Sequence, residues 1–271
     1  MSVPGARPGL ASVTVLAAIA GVLFFALPVV ALVANALLGP SFGATVQRPS
    51  VIHALALSLG TTAVSLALTV LFGTPLAYVL ARRRVPGRRL LETVVDLPIV
   101  LPPAVAGLAL LLLFGRNGPV GAALVTLGVD LAFTTAAVVI AQLFVSAPFY
   151  VRAARVGFAG VDHDVEDAAR VDGAGEWAVF RHVTVPLASS ALSSGVVMAW
   201  VRALGEFGAT IMFAGNIEGR TQTLPLEIYA AFQVDLGASI AAGALLVLAA
   251  LTVLLVVRAV RRAPAEELEL I

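Results

Sequence analysis

Residues 166–186 read EDAARVDGAGEWAVFRHVTVP, a charged segment in a chain that is otherwise dominated by Ala, Leu and Val. The thirty residues from Arg152 to Arg181 hold ten Arg, Asp or Glu side chains, whereas only 12% of the whole chain is charged. Any function assigned to this chain has to account for one long, charged and apparently helical segment in its second half.

The composition indicates that lipid surrounds most of the chain. The 271 residues are 60% hydrophobic and 12% charged, whereas about a quarter of the residues in a soluble domain are charged. So few charges leave too little polar surface to cover a water-soluble globule of this size. Because only helices and closed barrels satisfy their own backbone in lipid, we predict an all-α integral membrane protein.

Cysteine and lysine are absent from the chain, and each absence excludes certain kinds of functional site. Without cysteine, the chain has no disulfide, thiolate metal site or cysteine nucleophile. All seventeen basic residues are arginine, whereas a standard ATP-binding loop needs a lysine at the phosphates. We therefore expect no cofactor in this chain, and any ATP that drives it has to be bound by a partner subunit. No nucleophile–base pair argues for an enzyme.

Six apolar stretches are long enough to cross a bilayer. A bilayer core of ~30 Å needs about 20 apolar residues as helix, and five clear intervals lack Arg, Asp and Glu. A sixth contains Arg202 and Glu206, which we interpret as an intramembrane ion pair. The predicted spans are 11–38, 53–80, 97–115, 131–151, 187–213 and 236–257. The first is too long for a signal peptide. Residues 117–129 are too short to cross, so we expect a surface or re-entrant segment there.

The arginines predict the orientation of the chain. With both termini in the cytoplasm, the inner segments hold thirteen arginines, and the outer loops hold only Arg48, Arg116 and Arg220. Cytoplasmic loops of membrane proteins carry the excess of basic residues. We therefore predict a multi-pass protein of the cytoplasmic membrane, with both termini and the charged segment on the cytoplasmic side.

Prolines interrupt the third predicted span. The sequence LPIVLPP places Pro98, Pro102 and Pro103 within six residues. Each proline removes a backbone donor and disfavours helix in the residue before it. The helix has to begin late, kink or unwind there. Two interpretations stay open, an unwound stretch that faces the bundle interior and a helix entry at the membrane surface.

Residues 162–176 are predicted to form a short surface helix. Asp162 is a suitable N-cap, and the acidic residues that follow suit the positive end of a helix dipole. Gly173 and Gly175 suit the end of the helix or a close backbone approach. A compact helix of small residues fits the groove of a partner protein. The alternative is a solvated helix without a partner.

This segment resembles the signature of permease subunits of ABC importers, which reads Glu-Ala-Ala, three residues, Gly, nine residues, Ile, any residue, Leu-Pro. The matching positions are Asp167, Ala168, Ala169, Gly173, Val183, Val185 and Pro186. Aspartate replaces the glutamate, although Glu166 stands one residue upstream, and valines replace the isoleucine and the leucine. The resemblance implies a type I ABC importer permease fold of six transmembrane helices. It also implies that a coupling segment, residues 154–186, docks into an ATP-binding subunit through Glu166 and the seven matching residues.

A second resemblance narrows the family. Residues 202–229, RALGEFGATIMFAGNIEGRTQTLPLEIY, look like the fifth helix and outer loop of molybdate permeases, and FGRNGPVG at 114–121 and the LPIVLPP cluster also look like theirs. Sulfate permeases share a core similar to RALGEFGA, so the continuation into MFAGNI and TQTLPLEIY favours molybdate. The resemblance leaves tungstate open, and a sulfate or thiosulfate permease is the alternative.

The resemblance also implies partners. It implies a homodimer in membrane lipid, two ATP-binding subunits and a separate extracytoplasmic molybdate-binding protein, with no nucleic acid.

Two other classes of membrane protein compete with this interpretation. A secondary transporter needs intramembrane acidic residues for ion coupling, and only Glu206 lies well inside a span. A membrane scaffold or receptor does not need the docking segment.

Three groups of polar residues are candidates for the pathway or gate. Arg202 and Glu206 lie four residues apart on one helical face. Arg202 could offer positive potential to a passing dianion, or the two residues could form an ion pair that fixes helix packing. Because the Glu206 carboxylate would largely cancel the charge of Arg202, packing is favoured. Serine hydroxyls in the cytoplasmic half of the fifth span either line a polar path or pack helices, namely Ser190, Ser193 and Ser194 together with Ser189. A third group lies in the outer loop, where it is a candidate for the gate or receptor-docking face: Thr221, Gln222 and Thr223.

The domain organisation predicted from these features is simple. Residues 1–48 form an N-terminal helix and the first outer loop, residues 49–262 form the permease core, and residues 263–271 form a short tail.

Overall fold

A computed structural model describes the backbone of residues 8–83 and 85–266 and the side chains of residues 13–83 and 85–255. Within these ranges the regular structure is helical, without strands. The helices are α1 (Pro8–Leu38), α2 (Phe42–Val46), α3 (Pro49–Arg82), α4 (Arg88–Val100), α5 (Pro103–Phe114), α6 (Pro119–Thr126), α7 (Thr135–Ala159), α8 (His163–Val171), α9 (Glu176–Val179), α10 (Val185–Leu204), α11 (Gly208–Phe213), α12 (Leu224–Phe232) and α13 (Leu236–Glu266). A π-helical turn, Phe180–Thr184, joins α9 to α10.

Five helical stretches of the described chain are long and apolar enough to cross a membrane, and a sixth span results if the bent pair α4–α5 is counted as one. The five are Val13–Leu38, Pro49–Arg82, Thr135–Ala159, Glu176–Leu204 and Leu236–Leu255. The predicted all-α membrane fold is therefore confirmed. Residues 117–129 contain only the eight-residue helix α6, in agreement with the prediction that they are too short to cross.

The third predicted span, residues 97–115, is interrupted at the prolines, in agreement with the prediction that the helix begins late, kinks or unwinds there. α4 ends at Val100, α5 begins at Pro103, and the two helices meet at 114°. Leu101 and Pro102 both precede a proline, and both adopt extended backbone angles, with ψ values of 134° and 135°. The cause is the steric restriction that proline places on the residue before it. With only 12 residues, about 18 Å long at 1.5 Å per residue, α5 cannot cross the bilayer alone.

The predicted spans four and five also have different bounds. α7 begins at Thr135 rather than at residue 131, because the hydroxyl of Thr134 caps the helix by accepting a hydrogen bond from the Ala137 N–H. The predicted span 187–213 is broken, since α10 ends at Leu204 and α11 starts at Gly208.

Small residues let α3 and α10 pack closely on either side of α7. A Cβ atom on Gly195 of α10 would lie 2.9 Å from the Cβ of Ala153, and one on Gly73 of α3 would lie 3.0 Å from the Tyr150 ring. Helices in lipid associate through such close packing. α7 is therefore the central helix, and half of its most apolar window is buried.

α5 and α11 form a second tight contact, which leads to a stability prediction. A Cβ on Gly107 would lie 2.5 Å from the carbonyl oxygen of Ala209 and 2.7 Å from its Cα. Because these are backbone atoms that cannot rotate away, we expect Gly107→Ala to lower the free energy of unfolding by ~1–3 kcal/mol. Thermal unfolding in detergent measures the change.

The matched control for this prediction is Gly60→Ala in α3. No atom lies within 4 Å of a Cβ at Gly60. We expect the control to stay within about 1 kcal/mol of the parent, since it changes only backbone freedom. Equal melting temperatures for the two variants would contradict the tight contact.

Candidate functional site

Both ends of α8 are defined by local capping. The side chain of Asp162 accepts a hydrogen bond from the Asp164 N–H at 3.0 Å, so the predicted N-cap is confirmed. At the other end, Gly173 has φ +92°, a conformation that favours glycine. The N–H groups of Gly173 and Ala174 donate to the carbonyls of Arg170 and Ala169, both at 3.0 Å. This pattern is a Schellman cap, which ends the helix sharply.

One side of α8 faces the interior of the chain. Glu166 is only 2% exposed, and its Oε1 accepts hydrogen bonds from the Thr184 hydroxyl at 2.6 Å and from Arg82 Nη2 at 3.3 Å. Arg82 is the last residue of α3, and Thr184 lies in the π-helical turn. Glu166 therefore joins three elements, whereas the sequence alone did not reveal either partner.

The opposite side of α8 is exposed and mixes charge with apolar surface. Arg170 donates to Asp167 at 2.6 Å and to Glu176 at 2.9 Å. The Glu176 carboxylate, followed by that of Asp167, raises the pKa of Arg170 above its usual value through these hydrogen bonds. Beside them, Val171 is 87% exposed and Trp177 is 70% exposed. Exposed apolar side chains at a charged surface are typical of a protein-binding face.

The predicted coupling residues thus divide by exposure. Asp167, Ala168, Gly173 and Pro186 are exposed, whereas Ala169, Val183 and Val185 are half-buried. Glu166 is the one member of the predicted set whose side chain lies inside the chain. The coupling role of the set as a whole stays a prediction.

Pro186 explains the π-helical turn, which was not predicted from the sequence. Proline has no N–H and its ring clashes with the carbonyl four residues earlier. In the turn before it, the Val185 N–H donates to the carbonyl of Phe180, five residues back. A single wide turn accommodates a proline within an otherwise continuous helical stretch.

Arg202 and Glu206 form the predicted ion pair at the break between α10 and α11. Arg202 Nη1 lies 2.5 Å from Glu206 Oε2, and Glu206 is 1% exposed. Glu206 Oε1 also accepts a hydrogen bond from the Ala209 N–H at 2.6 Å. The carboxylate therefore links the end of one helix to the first turn of the next. Its role in packing or transport stays a prediction.

The serines of α10 lie on a face that the chain itself leaves largely open. Ser190 and Ser194 are exposed, and Ser193 is half-buried. The hydroxyls of Ser193 and Ser194 donate to the carbonyls of Ser189 and Ser190, four residues earlier. Ser194 also lines a shallow groove of about 420 Å³ between α7 and α10.

The outer-loop residues lie inside the chain rather than on its surface. Thr221, Gln222 and Thr223 are all buried. The Thr221 hydroxyl accepts a hydrogen bond from the Ile217 N–H at 3.0 Å. Their side chains are thus enclosed in this structure, and the predicted gate role stays a prediction.

A line of buried polar residues along α3 was not singled out from the sequence. The line comprises Ser58, Thr62, Ser65 and Thr69 and faces Gln142 of α7, whose Nε2 donates to the Thr62 hydroxyl at 3.3 Å. At the end of this line nearest the N-terminus of α3, the Ser58 hydroxyl accepts a hydrogen bond from the Leu224 N–H at 2.7 Å. The spacing of four, three and four residues is a helical period that could have revealed this stripe.

Comparison with known proteins identifies the family. Residues 73–264, more than half of the chain, match the model of the family described as binding-protein-dependent transport system inner membrane component. The chain belongs to this family. The predicted multi-pass membrane protein is confirmed, as is a transport component rather than an enzyme.

Individual relatives agree with the resemblance to molybdate permeases. The molybdenum transport system permease protein of Mycobacterium tuberculosis is 48% identical over 244 residues, which cover 89% of this chain and 90% of the relative. A sulfate transport system permease protein of Synechococcus elongatus is 40% identical over 181 residues, 67% of this chain and 63% of the relative.

A solved structure agrees with the fold. The structure of a bacterial ABC transporter involved in the import of alginate aligns with a TM-score of 0.76 at 19% identity. The alignment covers 95% of this chain and 96% of that one. The type I ABC importer permease fold is therefore confirmed.

The glycine cap of α8 generates a prediction with a close control. Gly173 and Gly175 both have open space where the methyl group of an alanine would lie, but only Gly173 has a positive φ. We expect Gly173→Ala to destabilise the end of α8 by ~1–2 kcal/mol, and Gly175→Ala to leave it unchanged. Amide hydrogen exchange over residues 163–179 measures the difference. Equal exchange in the two variants would be evidence against the cap.

The ion pair at the α10–α11 break generates a second prediction. Glu206→Ala leaves Arg202 without its counter-charge and the Ala209 N–H without its acceptor, so we expect a loss of about 3 kcal/mol of stability. The double substitution Arg202→Met/Glu206→Gln removes both charges and keeps an acceptor for the Ala209 N–H. We expect it to lower the stability by less than Glu206→Ala does. Thermal unfolding measures the stability of both variants. A double variant less stable than Glu206→Ala would refute a packing role for the ion pair.

Proposed function

We propose that this chain is the permease subunit of an ATP-driven importer that moves molybdate across the cytoplasmic membrane. The observation that carries this proposal is 48% identity, over about nine-tenths of each chain, to a molybdenum transport system permease protein. The stretches RALGEFGATIMFAGNI and TQTLPLEIY, which resemble molybdate permeases, support the same substrate. Tungstate, of similar size and charge, is an expected second substrate.

In this proposal the exposed side of α8 docks into a separate ATP-binding subunit. That side presents small residues, paired charges and the exposed side chain of Val171, and the exposed Trp177 follows in α9. A short helix with these properties suits a groove on a partner. The absence of lysine from the chain agrees with ATP binding elsewhere.

The transporting unit is a homodimer with two ATP-binding subunits and an extracytoplasmic molybdate-binding protein. A two-fold axis beside the open serine face of α10 would place Ser190 and Ser194 of both copies along one path. Hydroxyl groups can donate to the oxygens of an oxyanion without trapping it by charge, and in this proposal the Ser194 hydroxyl exchanges its bond to the Ser190 carbonyl for one to the anion. ATP binding draws the ATPases together. It favours the outward-facing state over the inward-facing state because ATP binds the complex more tightly in the outward-facing state.

The proposed orientation places both termini and α8 in the cytoplasm. Arg48 and Arg116 lie on the opposite side, where each is paired with an aspartate: Asp235 at 3.3 Å and Asp130 at 2.5 Å. The excess of arginine on the α8 side supports this direction.

A sulfate importer is the second candidate. The sulfate permease relative is 40% identical, but it aligns with a smaller share of both chains than the molybdenum permease does. The core RALGEFGA is compatible with either oxyanion, so uptake decides between them.

The test is elemental analysis of cells that express this chain with its ATPase and binding protein. Trace molybdate, trace tungstate and excess sulfate are offered together. We expect molybdenum, with or without tungsten, to accumulate only when the permease is present. Accumulation of sulfur without either metal would transfer the assignment to sulfate.

Docking through α8 is tested in the same cells with Ala168→Trp. A bulky ring on the exposed side of α8 should block the groove of the ATPase, so we expect loss of both ATPase co-purification and metal uptake. The control is Ala123→Trp, the same change on the exposed surface of α6. Unchanged uptake with Ala168→Trp would contradict docking at this surface.

A further inference from the structure

Glu166 lies in the family signature region, yet it is turned away from the proposed docking surface. The side chains of Glu166 and Arg82 are 3% and 5% exposed, and the Thr184 side chain is buried. A carboxylate so enclosed by its own chain is not available for contact with a partner. Its role has to be sought in the elements it joins.

Arg82 contacts both the residues that precede α8 and residues within the helix. Its Nη2 donates to the carbonyl of Val161 at 2.7 Å, just before the helix, and to Glu166 at 3.3 Å. Its Nη1 lies 2.8 Å from Nε2 of His163, the first residue of α8. A planar guanidinium with several fixed donors positions such groups with little freedom.

Thr184 connects the same carboxylate to the fifth span. Its hydroxyl donates to Glu166 Oε1 at 2.6 Å, and Thr184 is the last residue of the π-helical turn that leads into α10. Hydrogen bonds to a charged acceptor are shorter and stronger than neutral ones. Glu166 is therefore bound simultaneously to the end of α3 and to the beginning of α10.

This linkage differs from the other ion pairs near α8. The Asp167–Arg170 and Arg170–Glu176 pairs are partly exposed, and exposed pairs contribute little rigidity. The Arg82–Glu166 pair is enclosed, where removing either partner leaves an uncompensated buried charge. Any displacement of α8 that kept this pair intact would have to move the end of α3 with it, and the Thr184–Glu166 hydrogen bond extends the linkage to α10.

We propose that Arg82, Glu166 and Thr184 form a transmission clamp, a set of positioning residues that carries the movement of α8 into the membrane helices α3 and α10. The inference rests on the proposed function, because it assumes that an ATPase moves α8. The clamp itself does not contact the ATPase, the anion or the ATP. Weakening it should therefore uncouple ATP hydrolysis from transport without preventing assembly.

The experiment measures molybdate transported per ATP hydrolysed in proteoliposomes that contain the whole complex and its binding protein. We expect Glu166→Gln to lower this ratio about fivefold or more, which corresponds to the loss of a typical coupling between two sites. Co-purification of the ATPase should remain at the parental level. Arg116→Gln, which breaks an exposed pair on the outer side, is the control and should keep the parental ratio.

A pair of substitutions at Thr184 keeps the test decisive should Glu166→Gln fail to fold. Thr184→Val preserves the shape of the side chain and removes the hydrogen bond, so the ratio should fall in the same direction. Thr184→Ser restores the hydroxyl and should restore the ratio. A general packing defect would not be rescued in this way.

The outcomes separate the clamp from the proposed function. If the parental complex carries no oxyanion, the proposed function fails. If it transports and the Glu166→Gln and Thr184→Val variants keep the parental ratio, the clamp is refuted. Loss of ATPase binding in proportion to transport would also refute it, because Glu166 would then be a docking residue.

Discussion

The need to satisfy every backbone polar group in lipid is the constraint on which the rest of this structure depends. Helices satisfy their own backbone, so a break is tolerated only where protein covers it. The two main breaks, at Leu101–Pro102 and at Gly205–Phe207, lie against one another. A Cβ on Gly208 would lie 2.7 Å from the Cβ of Pro103, and Gly107 packs on the backbone of Ala209. The two interruptions therefore shield each other, and Glu206 accepts a hydrogen bond from the buried Ala209 N–H in the first turn of α11.

The same constraint explains how the chain distributes its charge. Inside the bundle, Glu206 is paired with Arg202 and also accepts a backbone hydrogen bond, so no acidic group is left alone there in the described part of the chain. At the α8 side, Arg152 and Arg155 pair with acidic residues of α4, and Arg82 pairs with Glu166. These pairs join elements that are distant in sequence. Several of the charges that this apolar chain retains therefore connect one helix to another.

Hydropathy predicted the number and approximate places of the spans, because long apolar runs are a local property. It did not predict that the spans 97–115 and 187–213 are interrupted, although the prolines indicated the first break. The N-cap of α8 was predicted from Asp162, and Gly173 was one of two glycines predicted to end the helix or to allow a close backbone approach; both signals act over a few residues. Glu166 was placed in the docking set because the family signature is a linear pattern. Its burial depends on Arg82, 84 residues away, and Thr221–Thr223 are likewise enclosed by packing that no local pattern contains.

The two sides of α8 have opposite physical character, and that division suits the two roles proposed for it, docking to a partner and transmission of movement. Its exposed side carries small residues and solvent-screened charge pairs, which can rearrange against a partner at little cost. Its inner side carries a buried ion pair whose separation is costly. Force applied to the exposed side therefore meets a rigid connection behind it and a π-helical turn beside it. Thr184 is the last residue of that turn, so its hydrogen bond to Glu166 connects α8 to the fifth span at the point where α10 begins.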